Sequence, residues 1–339
     1  MFALKAVAAA LLSLTMLGTP VGGPGSGQER GKLPMTGAIG DFVPGVIDDP
    51  VHDPTVFADR GTYYVFSTGV LNPADPGGIF ARRSRGKLAG PWESLGAIAL
   101  PGWTRAYGVS HLWAPHVVQR GSWFYLYYAA SSFGTNTSAI GAARTRTPGI
   151  LSSWHDLGPI LTSDGSKNYN AIDPMVFNDG RQWWITFGSF WDGIKMQRLK
   201  DMTTPYGPVL DVARHPQNPP DPIENPQIFQ HGRYWYLLAS WDFCCQGVNS
   251  TYKTVAGRAT RPDGPYLDRD GKPLARGGGT IVLASRGNQI GTGAPDVIFT
   301  HGRWYMVHHY YDANAGGVIR MQIREIEWDR AGWPRFSEN

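Results

Sequence analysis

The sequence predicts an all-β fold, a five-bladed β-propeller, on three observations. One unit of short apolar strand, polar turn and aromatic strand occurs five times. Successive units lie 61, 59, 52 and 69 residues apart, measured between Pro54, Pro115, Pro174, Pro226 and Pro295. No long segment repeats its apolar residues with a helical period. A unit of this length has room for four strands, the size of a propeller blade. Composition agrees: 43 Gly and 26 Pro mark turns, while 13 Trp, 15 Tyr and 14 Phe supply strand and stacking surface.

The chain opens with MFALKAVAAALLSLTMLGTPVGGPG. Lys5 precedes an apolar run, Ala6 to Leu17, that is too short to span a bilayer. Residues 1–30 are therefore expected to be a secretory signal peptide and linker, and the protein to be extracellular. Residues 31–339 form the propeller domain, with blades from about residue 40 to 330. The first unit, DPTVFADRGTYYVFSTG, starts at Asp53, and the second, APHVVQRGSWFYLYYAAS, at Ala114. DPMVFNDGRQWWITFGS starts at Asp173, NPQIFQHGRYWYLLAS at Asn225, and APDVIFTHGRWYMVHHYY at Ala294. The turns ADRG, QRGS, NDGR, QHGR and THGR carry the Gly, Asp and Asn that hairpins favour. Each proline is expected at the first position of a strand, where no ladder donor is lost. TYYVFS and WFYLYY alternate with period 2.

The formal net charge is +4, from scattered Lys and Arg without a basic block, which argues against a nucleic-acid partner. Nothing after the N-terminus resembles a membrane span, and no segment marks an oligomer interface, so a monomer is the default expectation. The two cysteines, Cys244 and Cys245, are adjacent. Two readings fit them: packed thiols, or a vicinal disulfide that stiffens a loop in an exported protein.

In a propeller the first strand of each blade lines the axis. The residue before each repeated proline is Asp53, Ala114, Asp173, Asn225 or Ala294, and Glu224 precedes Asn225. Any one Asp-Pro is a common turn starter. Three carboxylates aimed at one cavity from three blades repel unless hydrogen bonds, a cation or a function compensates. Acids beside aromatic rings suit a carbohydrate: rings stack on sugar faces, and glycoside cleavage needs one protonated acid and one ionised carboxylate. A third carboxylate can hold the acid's pKa up.

HDPTVF (52–57), LWAPHV (112–117), YNAIDPMVF (169–177), ITFGSFWDGI (185–194), IENPQIF (223–229) and SWDFCCQGVNSTYK (240–253) together resemble the family 43 glycoside hydrolases. Within them they resemble the secreted endo-α-1,5-L-arabinanases. The resemblance implies that Asp53 is the general base, Glu224 the general acid and Asp173 the group that tunes and orients the acid. It implies inversion, with base and acid roughly 6.5–9.5 Å apart. Trp113 and Phe133 resemble the aromatic walls of arabinose subsites, although both also fit blade-core rings. Asn170, Ser189 and Asn249 resemble contacts to substrate hydroxyls, although turn and strand-end hydrogen bonding fits them too.

The substrate implied is arabinan or arabino-oligosaccharide. Exo-acting arabinanases, arabinofuranosidases and β-xylosidases of the same family remain alternatives, as does a non-catalytic sugar-binding propeller. Many relatives have EAP where this chain has Glu224-Asn225-Pro226. Relatives often carry GPGHN in the last blade, whose His binds a channel metal, often calcium. This chain has GTGAPD (291–296), with Ala294 at the His position. No cofactor is expected for the chemistry, a structural calcium is put in doubt, and His309 in MVHHYYD is the remaining candidate ligand. His308 and His309 should face opposite sides of their strand.

Overall fold

The computed structural model describes residues 50–69, 77–109 and 111–336; the expected signal segment lies outside them. Twenty strands form five four-stranded antiparallel sheets, each a meander in chain order. Blade 1 holds β1 (Thr55–Asp59), β2 (Thr62–Thr68), β3 (Ile79–Arg85) and β4 (Glu93–Ile98). Blade 2 holds β5 (Trp113–Arg120), β6 (Trp123–Ala130), β7 (Ser138–Thr145) and β8 (His155–Ser163). Blade 3 holds β9 (Met175–Asn178), β10 (Trp183–Phe187), β11 (Ile194–Leu199) and β12 (Pro205–Ala213). Blade 4 holds β13 (Ile223–His231), β14 (Tyr234–Trp241), β15 (Lys253–Ala259) and β16 (Thr280–Leu283). Blade 5 holds β17 (Gln289–Thr300), β18 (Arg303–Asp312), β19 (Val318–Trp328) and β20 (Pro334–Phe336). The five-bladed propeller read from the repeats is the observed fold.

The period-2 pattern has a specific meaning here. On β2, Tyr64 and Phe66 pack against Val117, Phe124 and Leu126 of blade 2, while Tyr63 and Val65 pack against Tyr305 and Val307 of blade 5. The strand is buried on both faces, so alternation separates two blade interfaces rather than core from solvent. β6 does the same: Phe124, Leu126 and Tyr128 face blade 1, and Tyr127 faces Val176 and Ile185 of blade 3. Each such side chain contributes roughly 1.5–3 kcal/mol by burial.

The prolines depart from expectation on three blades. Pro54 and Pro174 directly precede β1 and β9, but Pro115, Pro226 and Pro295 lie inside β5, β13 and β17. There the pairing slips at Trp113/His116, Glu224/Gln227 and Gly293/Asp296. A bulge accommodates the missing proline N–H.

Blade 5 meets blade 1 without exchanging a strand among the described residues. The junction is held by the buried Asp296. Its Oδ2 accepts from Thr55 Oγ1 (2.6 Å) and the Val56 N–H (2.8 Å) of blade 1. Its Oδ1 accepts from Gln227 Nε2 of blade 4 (2.6 Å) and the Val297 N–H (2.8 Å). Replacing this carboxylate leaves buried donors unsatisfied. Asp296→Ala should lower unfolding free energy in urea by ~3 kcal/mol or more. Glu325→Ala, on an exposed pair with Arg303, should leave it nearly unchanged.

Candidate active site

The residue before each repeated proline adopts a left-handed backbone: Asp53 (φ 49°), Ala114 (42°), Asp173 (55°), Asn225 (51°) and Ala294 (51°). For non-glycine residues this conformation is unfavourable by roughly 1–2 kcal/mol each. It turns the backbone so that the N–H reaches the preceding blade. The Ala114 N–H donates to Thr68 Oγ1 (2.9 Å) and the Ala294 N–H to Ser240 Oγ (2.8 Å). The Asp53 N–H donates to His309 Nδ1 (3.2 Å), joining blade 1 to blade 5. On blade 3 the corresponding place is Gly188, which has no side chain, and the Asn225 N–H instead donates to Asp173 Oδ2 (3.0 Å). All five residues and their prolines line one axial cavity.

Asp53 is held by two side chains on one oxygen. Its Oδ2 accepts from His52 Nδ1 (2.7 Å) and Thr68 Oγ1 (2.6 Å). Burial alone would raise its pKa; the charge and hydrogen bond of His52 reverse that and hold it at about 2. Burial also opposes a charge on His52, but Asp53 outweighs it and the imidazole's pKa is raised. His52 Nε2 lies 2.9 Å from the Tyr311 hydroxyl, which accepts from the Cys245 N–H (2.7 Å). His52 stands inside the HDPTVF motif, yet sequence reasoning gave it no role.

Glu224 and Asp173 are buried and of opposite character to Asp53. Glu224 accepts from Ser189 Oγ (2.6 Å) on Oε2 and from Tyr252 OH (2.7 Å) on Oε1. Burial raises the Glu224 pKa; Ser189 and Tyr252 offset only part of this, and the Asp53 charge adds to it. Asp173 is pushed well up by burial, then by the charges of Glu224 and Asp53, with the Asn225 N–H pulling the other way. The Glu224–Asp173 pair thus keeps a proton at a pH where Asp53 is fully ionised. One carboxylate held ionised and a carboxyl pair held protonated, buried and drawn from different blades, are the two protonation states that hydrolysis of a bond between sugars calls for.

Residues 45–334 match Glycosyl hydrolases family 43. The chain belongs to this family. It is 37% identical over 297 residues, 86% of this chain and 89% of the relative, to the extracellular endo-alpha-(1->5)-L-arabinanase 1 of Bacillus subtilis strain 168. The solved exo-1,5-alpha-L-arabinanase from a bovine ruminal metagenomic library superposes with a TM-score of 0.79 at 34% identity, covering 88% of this chain and 99% of that one. The Cellvibrio cellulosa alpha-L-arabinanase complexed with arabinohexaose gives 0.77 at 34% identity, covering 85% and 95%.

The other expected site residues of this family 43 chain divide into three groups. Trp113, the first residue of β5, lies 5.0 Å from Phe133, which is 71% exposed at the same end of blade 2. The Phe133 ring is available for stacking, with the half-buried Trp113 ring beside it. Ser189 donates to Glu224, as described. The Asn170 amide is engaged within blade 2's end loop, accepting from Ser138 Oγ (2.6 Å) and donating to the Thr135 carbonyl (3.4 Å), so it braces the loop that carries Phe133. Asn249 is exposed on a short 3-10 turn, Gly247–Asn249, beside the Cys244–Cys245 disulfide. Phe190, Trp191 and Phe243 escaped sequence reasoning. The Phe190 N–H donates to the Ile223 carbonyl beside Glu224, its ring lies 5.8 Å from Phe243, and Trp191 is exposed. Phe190 and Trp191 both have positive φ, a local signal that no residue pattern carries.

His308 and His309 do face opposite sides: His308 meets Arg324, and His309 stacks on His52 with ring centroids 3.9 Å apart. His309 Nδ1 accepts from Asp53, and burial lowers the ring's pKa well below its ordinary value. Calcium takes roughly six to eight oxygens. In the axial cavity Asp296 is saturated by four protein donors, Ala294 offers no donor, and His116 Nε2 bonds to the Val176 carbonyl. Those three positions offer calcium no free side-chain oxygen. The cluster that contains His309, made with His52 and Asp53, brings two ring nitrogens and one carboxylate within 4.8 Å of one another, a nitrogen-rich set unlike the oxygen shell of calcium.

His52 should be what keeps Asp53 acidic. By carbon-13 NMR the Asp53 carboxyl should titrate near 2 in the intact protein. In His52→Asn it should rise by more than ~1 unit, because burial then acts without a counter-charge. An unchanged Asp53 titration would remove His52 from this role.

Proposed function

We propose that the protein is an extracellular endo-acting hydrolase of α-1,5-linked L-arabinofuranosyl bonds in arabinan, working with inversion. The observation that carries this reading is the split in protonation between Asp53 and the Glu224–Asp173 pair around one cavity. Asp53 Oδ2 is committed to His52 and Thr68. Its other oxygen takes a proton from water as the water oxygen bonds to the anomeric carbon. The bond from that carbon to the leaving oxygen breaks on the opposite face, and Glu224 gives its proton to that oxygen. Asp173 keeps the proton on the pair and, through the Asn225 N–H, fixes the backbone next to Glu224. Trp113 and Phe133 stack on sugar faces.

Arabinan as substrate and location outside the cell are supported by the names of the relatives, one of them solved with arabinohexaose. Endo action is favoured by the 37% identical relative, and exo action is the second reading because a 34% identical structure is an exo-arabinanase. A silent sugar-binding propeller has no need of the opposed carboxylates.

On linear arabinan, Asp53→Ala and Glu224→Ala should each lower kcat by roughly 10^3-fold while circular dichroism stays unchanged. Turnover retained in either variant would sink the reading. Mixed oligomeric products indicate endo action; one uniform short product indicates exo action. Asp173→Asn should move the falling alkaline limb of the rate profile to lower pH. The acid must be protonated, and losing its carboxylate neighbour lowers the Glu224 pKa.

We propose further that no metal takes part. EDTA should leave turnover and Tm unchanged; a clear loss of either would reverse this.

A further inference from the structure

The strand registers place two functional ends on every blade. On blade 2, Trp113 pairs with Ala129 at the catalytic end, whereas Arg120 pairs with Trp123 and Arg144 with His155 at the opposite end. That opposite end is built by the five repeated hairpin turns, and each turn contributes one arginine: Arg60, Arg120, Arg181, Arg233 and Arg303. On blades 1 and 5 the turn arginines are neutralised by Asp59 and Glu325. On blades 2 and 3 the cations lie on indole rings instead. Arg144 and Arg146 lie over Trp123 at 4.6 and 4.3 Å, Arg120 over Trp183 at 5.9 Å, and Arg198 over Trp184 at 5.3 Å.

Among the described residues none of Arg120, Arg144, Arg146 or Arg198 forms a salt bridge. The nearest acid in sequence on β8, Asp156, is taken by Trp103 Nε1 and Tyr128 OH. An open cleft runs beside the cations, lined by Trp123, Arg144, Arg146, Thr147, Ser153 and His155.

A guanidinium resting on an indole is held flat by the ring while its N–H edge stays free. That edge matches a carboxylate with two parallel hydrogen bonds. One such stack is ordinary surface packing. Three on blades 2 and 3, those of Arg120, Arg144 and Arg146, stand outside any ion pair and next to an open cleft, and form a strip complementary to a row of carboxylates. Arg198 is set apart on the blade 4 side, with Asp263 near enough to be made more acidic by its charge.

We propose that this strip on blades 2 and 3, on the face away from the catalytic cavity, binds an acidic polysaccharide, a polyuronate. A neutral arabinan gives no account of these cations, and a polymer bound there leaves the catalytic cavity open. The enzyme would be tethered to an acidic matrix while it cuts a neutral chain. Polyuronate is favoured over nucleic acid because guanidinium groups resting on indole rings offer carboxylate pairing beside apolar ring surface for sugar faces.

Affinity electrophoresis with polygalacturonate in the gel tests this, with dextran as the neutral control. Polygalacturonate should retard the protein at low salt, and the retardation should fade as salt screens it. Arg144→Gln/Arg146→Gln should bind about tenfold more weakly, while turning over linear arabinan as before. Arg146→Gln alone, at an exposed side chain, gives the same sign should the double variant fold poorly. Asp53→Ala should bind the polymer like the unaltered protein, so this result stands apart from the assignment of the catalytic site. No retardation, retardation undiminished in both arginine variants, or tighter binding of double-stranded DNA or phosphatidylserine vesicles through the same arginines would overturn the proposal.

Discussion

The left-handed residue before each blade's proline is the constraint on which the rest of the molecule depends. It is unfavourable locally at each of five sites, and it is compensated by a hydrogen bond from its N–H across to the preceding blade on four of them. The acceptor differs each time: Thr68, Asp173, Ser240 and His309. Blade 2 has Ala129 at the corresponding place, with no side-chain acceptor to offer. The backbone does the scaffolding through N–H and φ, so the side chain at the same position is released for chemistry. Asp53 and Asp173 use that freedom; Ala114 and Ala294 leave room at the axis.

The asymmetry among the carboxylates follows from which blade supplies each neighbour. Blade 5 brings His309 and Tyr311 behind His52, so Asp53 gains a basic partner and stays ionised. Glu224 meets only hydroxyls, Ser189 from blade 3 and Tyr252 from blade 4, which hydrogen-bond it without bringing a charge. Tyr252 also packs where a larger residue than Gly293 would collide: a Cβ there would come within 2.1 Å of its ring. A glycine in blade 5 thereby sets the position of the donor to Glu224.

Much of the fold was legible because repetition averages out local ambiguity. One hairpin such as TYYVFS fits many folds, but five with prolines in register fit few. The same comparison exposed Asp53, Asp173 and Glu224, because they differ where the scaffold is constant. Residues outside the repeated frame were harder to read. Phe190 comes beside the strand of Glu224 in a turn with two successive positive-φ residues, and nothing in FGSFWDG announces that turn. His52 was visible as a letter, but its role depends on Tyr311, 259 residues away. The buried prolines were misplaced on three blades because a bulge looks, in sequence, like a strand start.

Cys244 and Cys245 are bonded to each other in the loop that follows β14. Cys245 has positive φ, and its N–H reaches the Tyr311 hydroxyl, with its sulfur 3.8 Å from His52 Nε2. The charged imidazole donates from Nδ1 to Asp53 and from Nε2 to the Tyr311 hydroxyl, which also accepts from the Cys245 N–H. A loop of blade 4 thus steadies a tyrosine of blade 5, which contacts the histidine that holds Asp53 on blade 1. The disulfide lies at the far end of that chain, on the residue whose amide donates to Tyr311. The chain's only two cysteines thus stand side by side next to His52, the residue that holds Asp53.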